Sequence, residues 1–226
     1  GTRRAAIKTI ARIAELEAVQ PAVMDSELRF LIVKALNSTD NEIEAAALRA
    51  LAGLCANGSL IDKLNLLKID GLLGGSIFSA NPKCRKFALL GLGNYASHAA
   101  ARVPLHEADA VDAFTRVASD AKADPEERLA ATYAVANVAF HASNHARMMS
   151  LGMPLIKHIF DAFERGSPEV RRYATQLVAN LTTSQHAHPL FGEAHVLSPL
   201  VKLARATFGD PIALSSALGA LRSVSI

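Results

Sequence analysis

Tryptophan is absent from this chain of 226 residues, cysteine occurs only twice, and aromatic side chains make up 5% of it. Sheets draw on β-branched and aromatic residues, so this shortage argues against an all-β fold. Cys55 and Cys84 lie inside helix-like Ala/Leu patterns and cannot by themselves build a disulfide framework or a four-ligand zinc site. A reducing compartment is the expectation, and with it a cytoplasmic location. No apolar run approaches ~18 residues, and Lys8, Arg12 and Glu15 interrupt the N-terminal stretch, which excludes a spanning helix and a secretory signal there. Ala5 stands where a myristoylation signal beginning at Gly1 needs Ser or Thr, so membrane association would have to come from residues upstream. Charge of one sign is also lacking: 24 basic residues against 21 acidic ones leave +3, and the basic residues are scattered. Bulk nucleic-acid binding is not supported.

What the chain has is alanine and leucine, 42 and 29 residues respectively. These lead the helix-propensity scale and point to an all-α protein. The helix starts are periodic. Asn81-Pro82, Asp124-Pro125, Ser167-Pro168 and Asp210-Pro211 follow one another at intervals of 43 residues. In each pair a side-chain oxygen can accept from an orphan amide, and Pro occupies the first helical position, where its missing N–H costs nothing. The interiors agree: Ala88, Ala131, Ala174 and Ala217 are in phase, as are Leu92, Val135, Val178 and Leu221. Toward the N-terminus the period shortens to 41, where Glu44 to Leu48 matches Arg85 to Leu89, and Arg3 to Ile7 matches it one unit earlier.

Between these long helices lie shorter helical patterns with a small or turn residue at the joint, as in Glu107 to Val111, Leu151 to Leu155 and Glu193 to Leu197. The unit is therefore short helix, helix, long helix. The expected organisation is one domain, 1–226, with the last helix of a repeat at 1–17 and repeats at about 18–58, 59–99, 100–142, 143–185 and 186–226. One such unit cannot bury its own apolar face, whereas stacked neighbours share a continuous core.

Asn94, Asn137 and Asn180 are also 43 apart, each in a third helix. Asn is a mediocre helix residue, and core packing does not ask for it at every turn of a solenoid. Steps of three or four residues along the same helix face join Phe87, Leu90, Asn94 and His98. The same steps join Ala130, Tyr133, Asn137 and His141, and then Tyr173, Gln176, Asn180 and Ser184.

The capped Pro starts, the Ala-rich third helix ending in Asn and the Glu-Ala joints together resemble the armadillo repeat over nearly the whole chain. HEAT repeats, with two shorter helices and no such Asn, are the nearer alternative. The resemblance implies a right-handed α-solenoid of three-helix repeats, a protein-interaction scaffold with no catalysis, no metal and no cofactor. In relatives such as importin-α and β-catenin the third-helix face lines a concave groove, where the Asn amide pairs with the main chain of an extended peptide. An amide offers donor and acceptor together, which suits that task. The other reading is that the Asn side chains cap or bridge the loop after the third helix.

The importin pattern places Trp four residues before the Asn, where this chain has Leu90, Tyr133 and Gln176. Without Trp faces to stack on Lys and Arg stems, a basic ligand is disfavoured. Lys8, Arg12 and Arg49 fall on the same face near the N-terminus and suit an acidic segment of a partner protein. An alternative role is a structural or assembly scaffold, as in axonemal or membrane-anchored armadillo proteins, using the convex face or the solenoid ends.

Other constellations carry less. Arg85, Arg128 and Arg171 recur at 43 but lie nine residues before each Asn, about half a turn around the helix, and read as structural arginines bonding turn carbonyls. His141 and His145 have metal-like spacing without the Glu of a zinc protease motif, and His186 and His188 sit near a joint. Gly91 to Ala96 spells G-x-G-x-x-A in mid-helix with no strand before it, which reads as small packing residues.

Overall fold

A computed structural model describes residues 2–98, 108–120, 122–184, 187–193, 195, 197–206 and 209–224. Among them there are helices and turns and no strand. The chain forms two compact units, residues 1–103 and 104–226.

In the first unit α1 spans Thr2–Ala14, α2 Gln20–Asp25, α3 Leu28–Leu36 and α4 Asn41–Cys55. They are followed by α5 Ile61–Leu66, α6 Ile69–Gly74 and α7 Pro82–Ala96. The long helices α1, α4 and α7 lie side by side with α4 in the middle, while α3 backs α4 and α6 backs α7. Because α4 is packed on several sides, Ala45 to Leu48, Ala50 to Ala52, Leu54 and Cys55 are all buried. Alanine is what such crowding demands. At Gly91 of α7 even a methyl would be tight, since a Cβ there would stand 3.3 Å from the Ala52 Cα and 2.9 Å from a Leu73 methyl. The apparent dinucleotide fingerprint is thus a helix-packing site.

In the second unit α8 spans Ala108–Ser119, α9 Pro125–Val138, α10 His145–Ser150 and α11 Met153–Arg165. They are followed by α12 Pro168–Leu181, α13 His188–Glu193, α14 Leu197–Ala206 and α15 Pro211–Val224. Here α12 packs between α9 and α15, with α8 behind α9, α11 behind α12 and α14 behind α15. The first helix expected in the 100–142 repeat falls mostly on residues 99–107, which lie outside the described residues, as do His186 and the Ala194 and Val196 joint positions.

The helix starts follow from their caps. Asn81 accepts from the Lys83 amide at 2.9 Å, Asp124 from Glu126 at 2.9 Å, Ser167 from Val170 at 3.3 Å and Asp210 from Ile212 at 3.1 Å. Asp40 does the same for α4, accepting from Glu42 at 3.0 Å. The arginine ladder behaves as its phase predicts. Arg85 donates to the Ser79 and Ala80 carbonyls at 2.8 and 3.1 Å, Arg128 to Ala118 at 3.5 Å and Arg171 to Glu164 at 3.4 Å. Each ties the start of a third helix to the end of the segment before it.

Candidate functional site

The third helices owe their exposed faces to their periodicity: one stripe is buried against neighbours, and the residues three and four apart on the other side remain half-exposed. In the first unit that face carries charge. Lys8 and Arg12 of α1, Glu42 and Arg49 of α4, and Lys83 and Phe87 of α7 surround a cleft of about 360 Å³. The three cations expected on one face, Lys8, Arg12 and Arg49, therefore all line it, and Lys83 joins them. Glu42 is clamped by Lys8 at 2.9 Å and Lys83 at 3.0 Å, and these ammonium groups hold its carboxyl at about 2. Arg49 grips Glu15 through two bonds of 2.6 and 2.9 Å. Arg12 makes no ion pair among the described residues. Four cations thus meet two carboxylates, leaving an excess of positive charge.

In the second unit the face is aromatic and amide-bearing. Tyr133 of α9 and Tyr173 of α12 meet edge to face with ring centres 5.0 Å apart, and the Arg172 guanidinium lies 5.3 Å from the Tyr173 centre. Both rings stay half-exposed, as do Gln176 and Ser184, while Ala130 is buried. His141 is half-exposed and abuts the Phe140 ring at 5.9 Å.

Two amides of the Asn series are engaged within the protein, and the third is buried. Asn94 Nδ2 donates to the Ala52 carbonyl at 2.8 Å, and Asn180 Nδ2 donates to the Ala136 carbonyl at 3.0 Å. Asn137 is 5% exposed. The backbone explains the need. At the end of α4 the Ala56 amide bonds Gly53 and Leu54, and at the end of α9 the Phe140 amide bonds Asn137 at 3.0 Å. This tightening of the last turn leaves Ala52 and Ala136 as orphan carbonyls. An amide from the next third helix fills the vacancy at each.

The same requirement accounts for further buried and half-buried polar residues. Gln20 is 4% exposed and donates to the Ala14 carbonyl at 2.8 Å and to Gly53 at 3.2 Å, while Asn57 donates to the Gln20 Oε1 at 2.8 Å. His98 places Nε2 at 3.0 Å from the Cys55 carbonyl, Asn144 donates to Val138 at 3.1 Å, and His145 places Nε2 at 2.6 Å from Ala139. A carbonyl only accepts, so both histidines carry their proton on Nε2. His145 is 2% exposed and spent on this bond, and its metal-like spacing from His141 reflects the repeat joint. Among the described residues no group of three or more His, Cys, Asp or Glu could hold a metal ion, and no helix is long and apolar enough to cross a membrane.

No protein-family profile matches the chain, and no curated protein matches it in sequence. Solved structures do match in fold. The designed armadillo repeat protein YIII(Dq)4CqI superposes with a TM-score of 0.86 at 22% identity, covering 98% of this chain and 92% of that one. The designed armadillo repeat protein YIII(Dq.V1)4CPAF, solved in complex with the peptide (KR)4, gives 0.82 at 22% identity, covering 97% and 92%. A computationally designed armadillo repeat protein for modular peptide recognition gives 0.81 at 23% identity, covering 97% and 92%. The fold is an all-α armadillo-like repeat solenoid.

Proposed function

We propose that the chain is a single armadillo-repeat scaffold that binds an extended segment of a partner protein along its third-helix faces, and that the segment is acidic where it meets α1, α4 and α7. The observation that carries this reading is the convergence of Lys8, Arg12, Arg49 and Lys83 on one cleft beside a half-buried Phe87. Carboxylates of a partner can compete with Glu42 and Glu15 for these cations and meet Arg12 directly. The neighbour that holds (KR)4 binds a cationic peptide; this chain has no Trp to stack on such stems and an excess of positive charge in its cleft, so the opposite ligand charge fits.

In this reading Asn180 contributes as an acceptor. With Nδ2 committed to a carbonyl, the Oδ1 lone pairs of Asn180 remain for a peptide N–H. Leu90 in the first unit, and Tyr133, Tyr173 and Gln176 in the second, supply contact surface on their own third-helix faces, with His98 following α7 and His141 following α9. No chemistry is assigned, and the buried free thiols of Cys55 and Cys84 suit a cytoplasmic protein.

The test is a peptide array of acidic, neutral and basic extended segments, followed by titration of the best binders against wild type, Lys8→Glu and Arg12→Glu. Acidic peptides should bind best, salt should weaken them, and each charge reversal should reduce affinity by about tenfold or more. Preference for basic peptides, or affinity indifferent to both reversals, would overturn the acidic-segment reading.

A further inference from the structure

A second concavity lies away from the third-helix faces. Between α8 and α11, in the second unit, runs a groove of about 1050 Å³. Its residues repeat at helical spacing on both walls, and they occupy the faces opposite the buried stripes of Ala113, Phe114 and Ala118 on α8 and of Ile159, Ala162 and Phe163 on α11. The groove is therefore a surface that these helices leave uncovered.

Its chemistry is specific. Asp112 and Asp120 on one wall and Asp161 and Glu164 on the other face the groove, against only Arg116 and Lys157, in a chain whose net charge is +3. The Asp161 and Glu164 carboxylates have no hydrogen bond or ion pair among the described residues. Asp112 takes one bond from Arg147 at 3.1 Å on Oδ2, while its Oδ1 is buried with no donor. The floor is apolar: Leu151 and Phe160 are half-buried, and Met153 is 62% exposed.

We propose that this groove docks a basic amphipathic helix of a partner protein. Charge complementarity selects the occupant's sign, and the Met153, Leu151 and Phe160 floor calls for an apolar stripe on it. Two helices side by side present ridges that a third helix fits. Asp112 lies on α8 and Asp120 just past its end, while Asp161 and Glu164 stand about one turn apart on α11, so cations spaced by single turns along a docking helix, at i, i+4 and i+8, can meet carboxylates on both walls. The site is separate from the third-helix faces of α9 and α12, so it would operate independently of the segment proposed to bind there.

The experiment uses the whole chain and fluorescein-labelled peptides of about 18 residues, long enough to be helical alone. Lys is placed at i, i+4 and i+8 beside a Leu/Phe stripe. A scramble of the same composition, a copy broken by central Pro, and a Lys→Glu copy accompany it. Saturable binding of the first peptide is expected, at least about tenfold tighter than the scramble and the Pro copy. Asp161→Lys with Glu164→Lys should abolish that preference and capture the Lys→Glu copy instead, whereas Arg12→Glu should change nothing. Met153→Lys, at an exposed position that folding does not need, serves as a second variant and should weaken binding likewise. Absence of saturable binding, equal binding of the scramble or Pro copy, or indifference to both the double reversal and Met153→Lys would overturn the proposal.

Discussion

Replacing Asn94 or Asn180 by Ala removes a donor from a carbonyl that has no other partner in its helix. The lost hydrogen bond is worth about 0.5–1.5 kcal/mol, and leaving the Ala52 or Ala136 oxygen orphaned adds to it in proportion to how well water is excluded. Against this stands the better helix propensity of Ala, roughly 0.5 kcal/mol. Both Asn residues are half-buried, so some water reaches the vacated oxygen, and the expected net destabilisation is about 1 kcal/mol for each variant. Asn94→Asp should be at least as damaging, because it keeps the shape and turns the donor into an acceptor. Urea unfolding followed by far-UV circular dichroism reads this as a midpoint decrease of about 0.3–0.5 M at an m-value of about 2–3 kcal/mol/M. Gln176→Ala is the control: an amide one turn away on the face of α12 that makes no such bond, expected to stay within about 0.5 kcal/mol of wild type. If the Asn variants unfolded together with the Gln176 variant, the carbonyl-filling role would be refuted.

Other tests bear on different parts of the molecule. His158 is 1% exposed with both ring nitrogens unpartnered, and burial, reinforced by the Arg128 charge, lowers its pKa to about 4 from an ordinary 6.5, with Asp161 opposing. The unfolded state therefore takes up a proton before the folded state does. Stability is full above pH 6.5 and falls by roughly 3 kcal/mol as pH drops from 6.5 toward 4, and His158→Leu should flatten that part of the profile in denaturant titrations at stepped pH. Gly166→Ala should destabilise by about 2–3 kcal/mol, since a Cβ there would sit 2.4 Å from the Ala162 carbonyl oxygen, and backbone cannot swing aside as a side-chain tip can. Chelator should leave the melting temperature unchanged; a drop of several degrees would reveal a stabilising metal.

The helix starts were legible because each is written in two adjacent letters whose chemistry is local: an oxygen that caps and a Pro that fits the first turn. The arginine ladder was legible by phase alone, since half a turn from the Asn puts Arg85, Arg128 and Arg171 beside the preceding segment. The ion pairs were not. Lys8 and Lys83 reach Glu42 over sequence separations of 34 and 41, which look arbitrary until the period makes α1, α4 and α7 neighbours. Least legible was the use of the amides. An orphan carbonyl arises when the last turn of α4 or α9 tightens, a backbone event that no residue letter records, so Gln20, Asn144 and His145 gave no signal of their purpose. The G-x-G run in α7 was legible as packing because no strand precedes it, although close helix approach and phosphate approach both ask for a missing side chain.

The double demand on the Asn amides limits what they can give to a ligand. If a peptide carbonyl took the Nδ2 of Asn94 or Asn180, the Ala52 or Ala136 oxygen would lose its donor, and one hydrogen bond would be exchanged for another of similar strength. Net affinity from that exchange is near zero. On the proposed reading, a bond to the Asn180 Oδ1 would cost the repeat joint nothing, so that amide would align a peptide main chain through its acceptor while the joint stays closed. The energy that discriminates one partner from another must then come from the side chains around it. On the proposed reading these are, in the first unit, the cations of the cleft, whose ion pairs with Glu42 and Glu15 an acidic segment would replace in kind, and in the second unit the edge-to-face Tyr133 and Tyr173. Consequently Arg12→Glu should weaken an acidic ligand far more than Asn94→Ala does, while the order of the two is reversed for stability. A calorimetric titration beside a urea melt of both variants measures the two orders at once. An Asn94→Ala variant that bound about tenfold more weakly yet unfolded like wild type would show the amide serving the ligand first and the joint second.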